Sequence, residues 1–200
     1  MTPDFYNTIE KPATAEFKDR GSKFQAYVYP VQSIEEFKIR LADLKKEHPK
    51  ANHHCFAYRL GVEGTNFRVS DDGEPSGSAG RPILGQIDSN QLTNMLIVVV
   101  RYFGGTLLGV PGLINAYKTA AVLAIEQTSI IQKPVLILYR LQFDYLLMND
   151  VMKLLKQYDC SIIKQELQLF CLIETGIPKQ NAAALIPKLK EINGVEISSI

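Results

Sequence analysis

Residues 68–87, RVSDDGEPSGSAGRPILGQI, hold three carboxylates, Asp71, Asp72 and Glu74, followed by a run of small residues and then Arg81 and Pro82. Acids this close together are hard oxygen ligands, able to hold Mg²⁺ with the help of a phosphate. Ser76 and Ser78 sit in the glycine-rich bend, and His53 and His54 precede it, which is the inventory of a hydrolase triad. A second glycine-rich segment, FGGTLLGVPG, contains Gly104, Gly105 and Gly109. Arg101 precedes it and Lys118 follows it. Arginine forks match phosphate, and helix starts offer free N–H groups to an anion.

These chemistries are not equally supported. PSGSAG lacks the G-x-S-x-G elbow, so no catalytic residue is assigned. Strand alternation sends His54 to the face opposite His53 and Cys55, and no second ligand pair stands at a matching spacing. No metal, cofactor or structural zinc is expected. Neither glycine-rich loop fits a dinucleotide or P-loop fingerprint. Anion binding by Arg81, Arg101, Lys118 and the N–H groups near Gly104, Gly105 and Gly109 is the better-supported reading. Against it stands a loop whose acids pair with those arginines and cap helix N–H groups, leaving no net site. On charge logic alone the two balance.

The elements that must carry these residues are legible in part. SKFQAYVYPV, residues 22–31, alternates as a strand, with Phe24, Ala26 and Val28 on one face. Ser33 and Glu36 form a capping-box pattern, and Ile34, Phe37, Leu41 and Leu44 then recur at helical spacing until Pro49. HHCFAYRL and NFRVS, joined by GVEGT, read as a hairpin. Pro82 suits the first turn of a short helix, and a second proline-started helix follows GVPG. LTNMLIVVVRYF, residues 92–103, is expected to be a central strand buried on both faces. From about residue 133 the order becomes βαββαβ, with Val151, Leu154 and Leu155 facing inward and Pro187 expected to kink or shorten the last helix. The expectation is an α+β chain of two domains, 1–132 and 133–200, with a linker near 132–134.

Composition limits the partners. The chain has 22 basic and 21 acidic residues, and the balance is local: 14 of each through Ile130, then 8 and 7. Non-specific duplex binding would need a basic excess, so any RNA contact must come from a localised surface. MLIVVV is too short to span a membrane. The polar N-terminus is no signal peptide, and three unpaired cysteines fit a reducing cytoplasm without disulfides.

DDGEPSGSAGRPI followed by VVVRYFGGTLLG resembles the signature of the Impact/YigZ family, and SKF at 22–24 and HHCFAYRLG at 53–61 match its other blocks. The resemblance covers about 22–130, with 133–200 similar to the companion domain of bacterial members. It implies a first domain like the second domain of small-subunit ribosomal protein S-five, and a ferredoxin-like second domain. Eukaryotic Impact proteins are regulators of translation, and bacterial members are linked to nucleic-acid binding on structural grounds. Where the family pattern reads GxGGLxRAY, this chain has GVPGLINAY, with Pro111 at a glycine position and Asn115 at a basic one. The functional expectation is a non-enzymatic cytoplasmic protein that binds RNA, the ribosome or another translation-associated protein. The alternatives are a Mg²⁺-dependent phosphoester or nucleotide hydrolase using Asp71, Asp72 and Glu74, and a pure protein–protein module. In the binding reading, residues 71–80 fold over 104–112 and the acids hold the arginines in place.

Overall fold

A computed structural model describes residues 3–200. The chain forms two compact units, Tyr6–Lys133 and Pro134–Ile200, with Pro3–Phe5 grouped with the second. In the first half the elements are β1 (Phe5–Ile9), β2 (Ala13–Asp19), β3 (Ser22–Pro30), α1 (Ile34–Glu47), β4 (His53–Leu60) and β5 (Asn66–Ser70). They continue with α2 (Gly80–Ser89), β6 (Met95–Tyr102), α3 (Gly109–Glu126) and β7 (Ile130–Pro134).

The first domain is built on an antiparallel five-stranded sheet in the order β2-β3-β6-β4-β5. β6 lies at its centre, and the alternation of its side chains explains its unbroken apolar run. Ile97 and Val99 face α2 and α3, in a core with Phe24, Ala26, Val28, Cys55 and Tyr117. Leu96, Val98 and Val100 face α1, packing with Phe37, Leu44, Phe56 and Tyr58. The strand begins at Met95, later than residue 92, because Asn94 takes a left-handed φ of 53° that breaks the extended run.

Helix α1 starts as its sequence predicts, with the Ser33 side chain accepting from the Glu36 N–H at 3.1 Å. Three strands absent from the sequence reading are present. β2 pairs β3 through a turn in which Arg20 and Gly21 both take positive φ, and β1 pairs β7 in a separate two-stranded sheet. Residues 132–134, expected as a linker, are the end of β7. The single strand expected from 133 onward is broken at Val135, whose N–H donates to the Asp4 carbonyl at 2.8 Å.

The second domain comprises β8 (Leu136–Asp144), a short 3₁₀ turn, α4 (Met148–Gln157), β9 (Ser161–Leu167), β10 (Phe170–Pro178), α5 (Lys179–Glu191) and β11 (Glu196–Ser199). Its antiparallel sheet has the order β11-β8-β10-β9, the ferredoxin-like arrangement. Val151 and Leu155 of α4 and Leu185 and Leu189 of α5 pack on Leu141, Phe143, Cys171 and Ile173. Pro187 does not shorten α5, which runs through it to Glu191. Among the described residues no helix is long and apolar enough to cross a membrane.

Candidate binding site

Register brings the first chemical residues together. His53 of β4 and Phe24 of β3 both lie opposite Arg101 at the end of β6, so one row across the sheet carries all three. Helix α3 sets Tyr117 edge-on to Phe24, with ring centroids 5.1 Å apart. Glu74, from the loop between β5 and α2, enters this row. Its Oε1 accepts from Arg101 Nη1 at 2.6 Å and from the Tyr117 hydroxyl at 2.7 Å, and lies 3.8 Å from His53 Nε2. The Arg101 and Glu74 side chains are only 6% and 4% exposed, so the pair is a buried one. Arg101 Nη2 also donates to Ser22 Oγ at 3.3 Å, while its buried Nε–H has no acceptor among the described residues.

The other two acids have different tasks. Asp71 caps the start of α2: Oδ1 accepts from the Ala79 and Gly80 N–H groups at 3.0 and 2.8 Å, and Oδ2 from Gly77 at 2.9 Å. Asp72, with a left-handed φ of 43°, accepts from the His54 N–H at 2.6 Å, and its carbonyl takes the His53 Nδ1–H at 2.8 Å. The three carboxylates therefore diverge, and among the described residues no group of three or more His, Cys, Asp or Glu is placed to hold a metal.

The expected anion-site residues do not all meet. Arg81 on α2 and Lys118 on α3 are solvent-exposed, and neither lines the pocket described below. Arg101 is engaged by Glu74, and the Gly104 N–H donates to Ser22 Oγ at 3.2 Å. Gly104 is fixed by close approach: a Cβ there would stand 1.8 Å from the Gly21 carbonyl carbon. Gly105 (φ 86°) and Gly109 (φ 70°) shape the loop into α3 and are exposed.

What converges instead is a pocket of about 480 Å³. Its polar side is Asn52, His53, Glu74 and Arg101, and its apolar wall is Pro75, Phe103, Leu107, Leu108, Val110 and Leu113. The loop after β5, through Glu74 and Pro75, and the loop after β6, through Leu107 and Leu108, thus border one cavity. Phe103 is 45% exposed, Leu107 82% and Val110 46%.

The thiol and hydroxyls around the site are held in internal hydrogen bonds. Burial pushes the Cys55 thiol far up, with its Sγ 3.3 Å from the Tyr117 oxygen and 3.0 Å from the Asp71 carbonyl. Ser78 Oγ donates to the Pro75 carbonyl at 2.6 Å. Burial likewise raises Tyr117, keeping it a proton donor to Glu74. Residue type and spacing alone do not assign His53, Tyr117 or Ser22 to this site. His53 had one signal, since alternation already put it on the face of Cys55.

A small α+β domain with a buried ion pair beside an apolar-walled pocket, followed by a ferredoxin-like domain, defines a two-domain α+β architecture. The Impact N-terminal domain matches residues 20–125. The Escherichia coli IMPACT family member YigZ is 34% identical over 184 residues, covering 91% of this chain and 90% of that protein. An IMPACT family member of Haemophilus influenzae is 34% identical over 174 residues, covering 86% and 84%. A crystal structure of a hypothetical protein aligns with a TM-score of 0.79 at 31% identity, covering 99% of this chain and 98% of that one. The chain belongs to the Impact family.

Proposed function

We propose that this chain is a non-enzymatic binding protein acting in a translational setting, and that its first domain takes a protein partner at the pocket between the two loops. The observation that carries this reading is the contrast between floor and rim. The Arg101–Glu74 pair neutralises itself internally, while Phe103, Leu107 and Val110 expose apolar surface beside it. Phosphate would have to compete with Glu74 for Arg101. An apolar side chain needs only the rim, and contiguous exposed apolar surface marks interaction sites. The translational setting is the one the family resemblance implies.

One observation favours RNA as a second reading. Phe103 is an exposed aromatic ring with the Arg101 guanidinium 5.6 Å from its centroid, an arrangement on which an unpaired base can stack. Co-sedimentation with ribosomes over a salt series separates the two. Association that tolerates salt and is lost in Leu107→Asp supports a protein contact. Association that falls steeply with salt, survives Leu107→Asp and is lost in Phe103→Ala supports RNA. Absence of any association at low salt overturns both.

A further inference from the structure

Strand β9 forms an open edge of the ferredoxin-like sheet. Among the described residues it pairs with β10 alone, and all seven of its residues are exposed, including Ile162, Ile163 and Leu167 at 38%, 55% and 49%. An unpaired edge presents a row of free N–H and C=O groups that can template another strand, and a lysine on the edge is the usual deterrent. Here the lysine is accompanied by its complement. Lys164 and Glu166 stand two residues apart on one face, with Nζ 2.6 Å from Oε1.

We propose that β9 pairs antiparallel with β9 of a second copy of this chain, about a two-fold axis at Gln165. The strand reads Ser-Ile-Ile-Lys-Gln-Glu-Leu. About Gln165, each Lys164 lies opposite Glu166 of the second copy, and each Ile163 lies opposite Leu167. No other register of two β9 strands does this. An antiparallel pairing centred on Lys164 or on Glu166 sets like charges face to face. Centring between residues places each charge opposite an uncharged side chain, and in-register parallel pairing stacks like on like. Directly opposite charges stabilise a cross-strand pair and like charges weaken it, so the strand rejects other edges and accepts itself in one register. Gln165 and Leu167 share a face with Ile173 and Cys171, their partners on β10, which belong to the core under α4 and α5. The pairing therefore aligns the two cores across one continuous sheet. The bulge in β9 falls at Ile163, where the β10 register shifts, and it ends the ladder there.

The test is sedimentation velocity of the full chain over a dilution series. Wild type forms a dimer. K164E, which sets carboxylate against carboxylate at two places, raises the dissociation constant about tenfold or more, and K164E/E166K returns it to the wild-type value. Because these side chains are exposed, the variants remain folded, and circular dichroism at high dilution, where every form is monomeric, checks it. Q165C provides a direct reading: opposite Cα atoms in an antiparallel pair are within disulfide reach, so mild oxidation links the dimer covalently. A chain that stays monomeric throughout, a dimer indifferent to K164E, or a double variant no better than the single one overturns the proposal. None of these outcomes depends on the pocket of the first domain.

Discussion

Arg101 and Glu74 are each other's main reason for being tolerated in the interior. Two charges taken out of water are offset only when both are present and hydrogen-bonded, and losing one strands the other. Glu74→Ala is expected to destabilise the first domain by about 3–5 kcal/mol, since it leaves a guanidinium unpaired and removes the Tyr117 acceptor. Joint replacement, Glu74→Leu with Arg101→Met, recovers most of the loss. Hydrogen exchange of the β6 amides measures both, and a single-variant cost below about 1 kcal/mol would mean the pair is solvated. Arg81→Ala, on an exposed helix position, stays within about 0.5 kcal/mol of wild type. The thiols follow the same logic of burial. Cys55 and Cys171 are buried, and burial pushes the half-buried Cys160 up to about 11. Iodoacetamide at pH 8 is therefore expected to modify Cys160 first and slowly, and Cys55 only on unfolding. Fast native labelling of Cys55 would contradict the buried network.

Helix α2 has no side-chain cap from its own N-cap residue, Ala79, and takes one from Asp71 instead. Burial alone would raise this carboxyl, but the bonds from Gly77, Gly80 and Ala79, with Arg81 nearby, together hold it below the ordinary carboxylate value. A carboxyl lower in the folded state than unfolded stabilises while ionised. Its contribution is present above about pH 3.9, the unfolded value, and is lost as pH falls through the lower folded one. Asp71→Ala is expected to cost about 1 kcal/mol at neutral pH and to flatten the stability curve below about pH 4. Equal acid sensitivity in wild type and variant would assign the acid transition to other groups. This cap also marks where sequence reading stops. The Ser33 box was legible because the acceptor lies three residues from its donor. The Asp71 cap spans eight residues of irregular loop, and the Glu74–Arg101 pair spans 27, so charge type was readable while pairing was not. β6 declared itself because both faces are buried. β2 did not, because its hairpin turn is Arg-Gly, a weaker signal than Asn-Gly or Asp-Gly.

At the scale of the molecule, the cores do not mix. Every side chain of the two clusters around the five-stranded sheet lies within Tyr6–Lys133, and every one in the ferredoxin-like cluster lies within Pro134–Ile200. A domain with its own core can fold alone, but the second is under about 70 residues, a size at which one core supplies only a few kcal/mol. Expressed separately, residues 1–133 are expected to fold and to protect the β6 amides as the whole chain does. Residues 134–200 are expected to fold more weakly, with a melting midpoint that rises with protein concentration. The rise follows from mass action, since a second copy binding the folded β9 edge and not the unfolded chain stabilises the folded form. Circular dichroism melts at low and high concentration measure it. A concentration-independent midpoint for 134–200 would remove the dimer's contribution while leaving the division of cores intact. Failure of 1–133 to fold would show that the first domain depends on residues outside it.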